Sequence, residues 1–218
     1  MPARPRHEVR RVKQRARYDR ASVHAILDAG FVAHVGFCGE RGQPFVIPML
    51  YARDGDALIL HGSVASRLVR ALGDGIDACV GVTHVDGLVL ARSHFHHSVN
   101  YRSAVLFGRA APIADAAAKA AALARFVDAL VPGRAAEARA GDRNELAATG
   151  VLRFEIEDAS AKIRDGGPKD DAADLELPYW AGVVPATLAF GAPVPDERAA
   201  AEPPASVRAL LARRVTRA

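Results

Sequence analysis

Two periods of hydrophobic side chains organise the chain. Over residues 31–37, Phe31, Ala33, Val35 and Phe37 alternate with Val32, His34 and Gly36; over residues 45–51, Phe45, Ile47, Met49 and Tyr51 alternate with Val46, Pro48 and Leu50. A period of two puts successive side chains on opposite faces of a strand, so both runs predict antiparallel strands. Residues 39–42 and 53–56 carry the Gly and Asp chemistry of tight turns, and residues 57–61 form a third strand, so the three read as a meander.

Elsewhere the period lengthens. Val64, Leu68 and Leu72 share one helical face, with Ser63 placed as N-cap and Gly73 as stop. Asp19 caps an earlier helix through Leu27 that Gly30 ends. Strands are expected at residues 77–85, 88–93 and 100–109. An Ala-rich helix over 114–130 ends at Pro132 and Gly133, and a last strong strand spans 151–157, with 161–164 as an extension after a bend. Residues 192–204 have linker composition, and a short basic helix follows over 206–214. Helices that do not alternate with strands argue against a parallel doubly wound sheet. The predicted class is mainly β with α additions: a small antiparallel barrel.

At 218 residues, half of them hydrophobic, the chain suits one sizeable core. It divides into a basic arm (1–18), a central domain (19–190) and a C-terminal linker with a short helix (191–218). No apolar run approaches the ~20 residues of a spanning helix, and no secretory leader is evident, which predicts a cytoplasmic protein with no membrane partner. Cys38 and Cys79 sit in apolar contexts and read as reduced thiols. The net charge is +4, with Arg4, Arg6, Arg10, Arg11, Lys13, Arg15, Arg17 and Arg20 clustered at one end. Tyr18 is the one aromatic near them, so the cluster reads as a solvated arm rather than a nucleic-acid surface.

The most informative stretch is His61-Gly62-Ser63-Val64-Ala65-Ser66-Arg67, where a strand turns into a helix. A helix start offers unpaired N–H groups, Gly62 permits close approach, Ser63 and Ser66 add hydroxyls, and Arg67 can fork onto phosphate oxygens. The alternative is a Ser-capped surface helix with an exposed Arg.

Here the chain resembles the pyridoxamine-phosphate-oxidase-like flavoproteins, whose flavin phosphate is held after the third strand by Tyr-Thr, three spacers and Ser-Arg-Lys. His61 and Gly62 stand at Tyr-Thr, Ser66 and Arg67 match Ser-Arg, and Leu68 replaces Lys. The family strand along the flavin ring corresponds to residues 46–51, uncharged here, which leaves the backbone of Pro48, Met49 and Leu50 to serve the ring. The family's Arg-Gln falls on Arg102 and Ser103 ahead of Gly108, and its flavin-side Trp on Trp180.

The likeness is closer to the flavin-nucleotide-binding branch that includes nitroimidazole-resistance reductases. Its pattern is matched by residues 86–93, 95–98 and 100–108, then by Lys162, Arg164, Gly166, Pro168, Trp180, Ala181, Gly182 and Pro185. The resemblance covers roughly residues 8–190. It implies a six-stranded FMN-binding split β-barrel, homodimeric, with the flavin in the groove between subunits; haem is the alternative cofactor, since some relatives of this barrel use it. Trp180 would then border a flat cofactor, or serve as core or interface.

His84, His94, His96 and His97 invite a metal reading, but no carboxylate or cysteine stands at ligand spacing and the resemblance accounts for them as a family feature. No metal is therefore assigned. His61, expected to face the cofactor groove, is the candidate proton donor. Because flavin carries the redox chemistry, no nucleophilic triad is needed. The expected function is an oxidoreductase that reduces a small organic electron acceptor, a nitro-aromatic compound being one candidate, with flavin recharged by a nicotinamide or another donor. The alternative is a non-catalytic flavin or haem carrier or sensor.

Overall fold

Asp19 accepts a hydrogen bond from Ser22 N at 2.8 Å and starts a helix, as its place before an apolar-periodic run predicts. In this computed structural model residues 5–199 and 202–212 are described. In chain order they form β1 (Ala16–Arg17), α1 (Arg20–Asp28), β2 (Val32–Cys38), β3 (Pro44–Leu50), β4 (Ala52–Asp54), β5 (Ala57–Ser63), α2 (Arg67–Gly73) and β6 (Asp77–Leu90). There follow β7 (Ser98–Pro112), α3 (Ala116–Leu130), α4 (Arg143–Ala148), β8 (Thr149–Arg164), β9 (Gly182–Pro185) and α5 (Ala205–Ala212). The strands pair in the order β3-β2-β6-β7-β8-β5-β4, with β1 added to β8 and β9 to β6. The pairings β1–β8, β2–β3, β4–β5, β5–β8 and β6–β9 are antiparallel. The mainly β, antiparallel class expected from the sequence is the one observed. Its six long strands are β2, β3 and β5 to β8; the short β1, β4 and β9 are additions that no hydrophobic period announced.

By packing, the chain divides into two compact units. One comprises the chain up to Gly30, Gly81–Leu106 and Asp158–Leu188, and buries Val23, Ile26 and Leu27 of α1 together with Val82, Val89, Ala104 and Leu106. The other comprises Phe31–Val80, Phe107–Glu157 and the chain from Ala189. It buries Ala33, Val35 and Phe37 of β2, Leu58, Ile59 and Leu60 of β5, and Leu152 and Phe154 of β8.

Several expectations need correction. The first three strands do not make a meander: β2 and β3 form a hairpin, but β5 pairs with β4 and β8. Residues 57–60 are buried on both faces, which an unbroken apolar run between two neighbouring strands requires. The strand expected to break at Asp86-Gly87 runs straight through. Gly87 serves close approach instead, because a Cβ there would stand 2.9 Å from Val184 O on β9. Residues 151–164 likewise continue as one strand.

From residue 5 onward the basic arm is tied to the fold, while Arg6, Arg10, Arg11, Lys13, Arg17 and Arg20 stay exposed to solvent. Ala16 and Arg17 pair with Lys162 and Ala161, Arg6 Nε donates to Asp158 at 2.8 Å, and Val9 N donates to Tyr18 Oη at 3.0 Å. Arg4 lies outside the described residues. The C-terminal helix docks through Ser206, whose amide and hydroxyl both donate to the Glu137 carboxylate. Arg214, its expected end, also lies outside them. No helix among the described residues is long and apolar enough to cross a membrane.

Candidate functional site

The corner after β5 is tighter than the sequence suggests. Ser63 does not cap α2: its carbonyl accepts from Ser66 N at 2.9 Å and its hydroxyl from Ala65 N at 3.2 Å, which closes a turn. Ser66 is the N-cap, accepting from Val69 N at 3.1 Å, so the helix starts at Arg67 and leaves Val64 45% exposed. The physical reason is that Val64 N donates to Ala148 O at 3.1 Å, an extended-chain contact that holds residue 64 out of the helix.

Gly62 leaves room at the corner, since a Cβ there would press on Val69 Cγ2 at 3.2 Å. The amides of Arg67 and Leu68, in the first turn, have no acceptor among the described residues, and both Ser hydroxyls keep a proton to donate. The Arg67 guanidinium lies 4.5 Å from the Phe45 ring centroid, and Phe45 stacks on Phe37 at 5.4 Å. Stacking fixes the plane of the guanidinium and leaves its N–H edges open. Free amides, hydroxyls and an unpaired guanidinium at one glycine-cleared corner suit a phosphate.

His61 does not share that corner. Strand alternation sends it to the opposite face from Gly62, where its ring stacks on Phe126 of α3 at 4.4 Å and 27°. Phe126 packs with Ala52, Ile59, Ala122 and Val151, and this burial lowers the imidazole pKa from its ordinary value of 6.5. Burial therefore disfavours the protonated ring. A lowered imidazole pKa means that the unfolded chain takes up the proton first as pH falls, so stability present above the ordinary value is lost as pH falls through it toward the folded value. His61→Phe keeps the stack and is expected to flatten the decline in urea midpoint between about pH 7 and pH 5. An unchanged decline would assign it to other groups.

Pro48 and Leu50 are exposed on one face of β3, and Met49 is half-buried on the other. β3 ends the pairing order, so backbone groups on its outer side carry no ladder, which is also where a strand tolerates Pro48.

The residues that the resemblance marks beyond β6 have structural partners. Arg102 forks onto Asp86, with Nε–Oδ2 3.0 Å and Nη2–Oδ1 2.9 Å, and this hydrogen-bonded pairing raises its pKa. Ser103 Oγ lies 3.4 Å from Lys162 O. Trp180 is 65% exposed, its indole lying against Gly182, where a Cβ would come within 2.9 Å of the ring. Among the histidines, His97 Nδ1 lies 2.9 Å from Ser93 O, His96 lies 3.3 Å from Asp171, and Phe95, just before them, is 89% exposed. No group of three metal-ligating side chains gathers among the described residues.

Sequence reading missed the ties that hold this motif region. Arg92 binds Asp170 through both backbone and side chain at 2.8 Å, and buried Arg164 binds Asn100 and the carbonyls of Gly166 and Gly167. It also missed Arg70, one helical turn beyond Arg67, although the spacing of three was readable.

The profile of the family described as Pyridoxamine 5'-phosphate oxidase matches residues 19–163. The chain belongs to the pyridoxamine 5'-phosphate oxidase family. Its match runs from the cap of α1 almost to the end of β8 and so includes the phosphate-suited corner. Among solved structures, the flavocytochrome Anf3 from Azotobacter vinelandii is 43% identical over 93% of this chain and 94% of its own, with a TM-score of 0.86. The FAD and heme binding protein from Mycobacterium smegmatis is 40% identical over 90% and 97%, with a TM-score of 0.85. A protein assigned to 5-nitroimidazole antibiotic resistance in Bacteroides thetaiotaomicron VPI-5482 shares the fold at 20% identity over 68% of this chain and 86% of its own, with a TM-score of 0.58. No curated protein matches the chain. The two cofactor types expected from the sequence, flavin and haem, are both ones that the more similar relatives are said to bind.

Proposed function

We propose that this chain is a flavin- and haem-binding protein of the pyridoxamine 5'-phosphate oxidase family that acts as a cytoplasmic oxidoreductase on a small organic acceptor. The observation that carries the cofactor reading is the likeness, at 43% and 40% identity over nine-tenths of the chain, to a flavocytochrome and to an FAD and heme binding protein. Haem is thus a companion of the flavin in this reading rather than its substitute.

Arg67, the amides of Arg67 and Leu68, and the hydroxyls of Ser63 and Ser66 would hold a flavin phosphate, with the open edge of β3 at Pro48, Met49 and Leu50 serving the ring. For haem, the chain offers His34. It is exposed on β2 opposite Pro48, on a face that also carries Val32 (42% exposed), Leu50 (40%) and Val46 (67%). An imidazole among exposed apolar side chains could hold the iron of a haem, which would supply electron-transfer chemistry there.

Exposed apolar side chains gathered on that face support a homodimer in which the partner protomer closes over the cofactors. A bound flavin would supply hydride and single-electron transfer, and the protein would bind and orient it. A nicotinamide donor and a nitro-aromatic acceptor are the substrates to try first.

The test is the absorption spectrum of protein reconstituted with flavin and haem. Flavin and Soret bands that co-elute with the protein are expected, and His34→Ala should remove the Soret band while sparing the flavin. Failure of wild-type protein to retain either chromophore would overturn the cofactor reading, and full loading without turnover of any donor and acceptor would leave the carrier or sensor role in its place.

A further inference from the structure

We infer that the basic arm is the docking surface for a small acidic electron-transfer protein, which serves as an electron donor beside any nicotinamide. The inference rests on the redox reading above. Its first support is where the charge lies. Eight of the 29 cationic side chains fall in the first twenty residues, beside only two carboxylates, Glu8 and Asp19. This short stretch therefore carries a net +6 and the remaining residues a net −2, so the arm accounts for the whole positive balance of the protein.

The cations are displayed on a fixed frame. β1 pairs with β8, Arg6 reaches Asp158, and Tyr18 Oη accepts from Val9 N, so the turn at residues 10–15 is pinned on both sides. At its centre Val12 has φ 55° and ψ 56°, the one non-glycine residue of positive φ among those described, in a region that β-branched side chains avoid. This fold-back sets Arg10 and Arg11 before it and Lys13 after it, all exposed to solvent. Arg10 and Arg11 have no carboxylate partner among the described residues. Beneath the turn the charge is reinforced. Buried Arg164 is bound by the neutral oxygens of Asn100, Gly166 and Gly167, and burial and then the charge of Arg15 lower its pKa, outweighing Asp165.

The character of the patch selects the partner. Tyr18, 49% exposed, is its one large exposed hydrophobic side chain. The patch therefore lacks the apolar centre of a permanent interface or of a membrane-inserting surface, and suits a brief encounter steered by charge. Carboxylates set among the cations weigh against a nucleic acid: Asp19 caps α1, Glu8 lies 3.5 Å from Lys13, and Asp158 lies 2.8 Å from Arg6. A phosphate backbone is anionic throughout, whereas a protein surface of acidic excess brings cations of its own to meet them. Seven of the eight cations are arginines, whose planar forks match carboxylates.

A one-electron carrier would dock twice: two electrons from two reduced carriers, with two protons from water, reduce a bound flavin, and both carriers leave oxidised. The experiment uses an acidic two-iron ferredoxin as the carrier and the full-length protein loaded with its cofactors. Binding is read from the fluorescence anisotropy of labelled, oxidised ferredoxin, and electron delivery from stopped-flow bleaching of the flavin band. Affinity is expected to fall at least about 10-fold between about 0.01 M and about 1 M ionic strength, as the screening length drops from about 30 Å to about 3 Å. Arg10→Glu combined with Arg11→Glu should weaken binding at least about 10-fold and slow delivery from ferredoxin in proportion. Reduction by dithionite, the cofactor spectrum and the unfolding midpoint should keep their wild-type values, because both side chains are exposed and unpaired. Arg143→Glu combined with Arg198→Glu makes the same change in net charge at exposed positions elsewhere, and should bind ferredoxin as wild type does.

Loaded wild-type protein that does not bind ferredoxin, binding indifferent to salt, or equal losses in the two double variants would overturn this inference and leave the redox reading standing. Tighter binding of a DNA duplex or of phosphatidylserine vesicles than of ferredoxin would also overturn it, by giving the patch to a nucleic acid or a membrane. If wild-type protein retains no chromophore, the redox reading fails and takes this inference with it.

Discussion

Arg67→Ala is expected to weaken flavin binding about 10- to 100-fold, for FMN and FAD alike, without lowering the thermal midpoint. The magnitude follows from one charge-assisted hydrogen-bonded pairing, about 1.5–3 kcal/mol, taken from a group that nothing else replaces. Leu68 stands where the family carries a Lys, so this chain holds a single cation at the start of α2. Stability should be spared because Arg67 is exposed and its contact is the face of Phe45, whose packing on Phe37 survives the truncation. Arg67→Lys keeps the charge but loses the planar fork, and should fall between the two. Equilibrium titration of apoprotein checks the series; wild-type affinity in Arg67→Ala would remove the corner from the cofactor site.

Much of the fold was legible because its strong periods are one-faced. β2 and β3 alternate cleanly, and α1 and α3 begin at aspartates, Asp19 and Asp115, whose side chains accept from Ser22 N and Ala118 N. What escaped was short or non-local. β1 and β9 are two and four residues long and exist only because β8 and β6 offer an edge to pair with. α4 was missed although Asp142 and Glu145 stand in capping-box spacing, since its six residues bury no side chain and so lack a hydrophobic period.

The candidate site was legible in chemistry and less so in geometry. Gly62, Ser63, Ser66 and Arg67 do meet at one corner, yet the cap moved from Ser63 to Ser66 because a backbone bond from Val64 to Ala148, more than eighty residues away, decides where the helix begins. His61 stands at a strand end as expected, but its ring points away from the corner of Gly62 and Arg67, since its side is set by α3, which pairs Phe126 with it across the chain. Arg102 looked like a cofactor contact from its place in the motif. Its fork onto Asp86 could not be foreseen from a spacing of sixteen residues.

Gly108→Ala is expected to cost about 3 kcal/mol or more of folding stability. Gly108 lies on β7 directly against β8, and a Cβ built on it would coincide with the Glu155 carbonyl oxygen and stand 3.1 Å from the carbonyl carbon and 3.3 Å from Phe154 Cζ. No side-chain rotation relieves a clash with backbone, so either the β7–β8 pairing opens or the strand shifts, and Phe154, fully buried, moves with it. The glycine that closes the family's strand pattern is thus explained by the approach of a neighbouring strand, with no turn or positive φ involved. Gly191→Ala is the control, because nothing lies within 4 Å of the Cβ it would add. Urea denaturation of the pair should show a midpoint near the wild-type value for Gly191→Ala and a large drop for Gly108→Ala. Loss of folded Gly108→Ala beside a well-behaved Gly191→Ala would be the same result in stronger form, whereas equal midpoints would mean that β7 and β8 do not approach as closely as the fold requires.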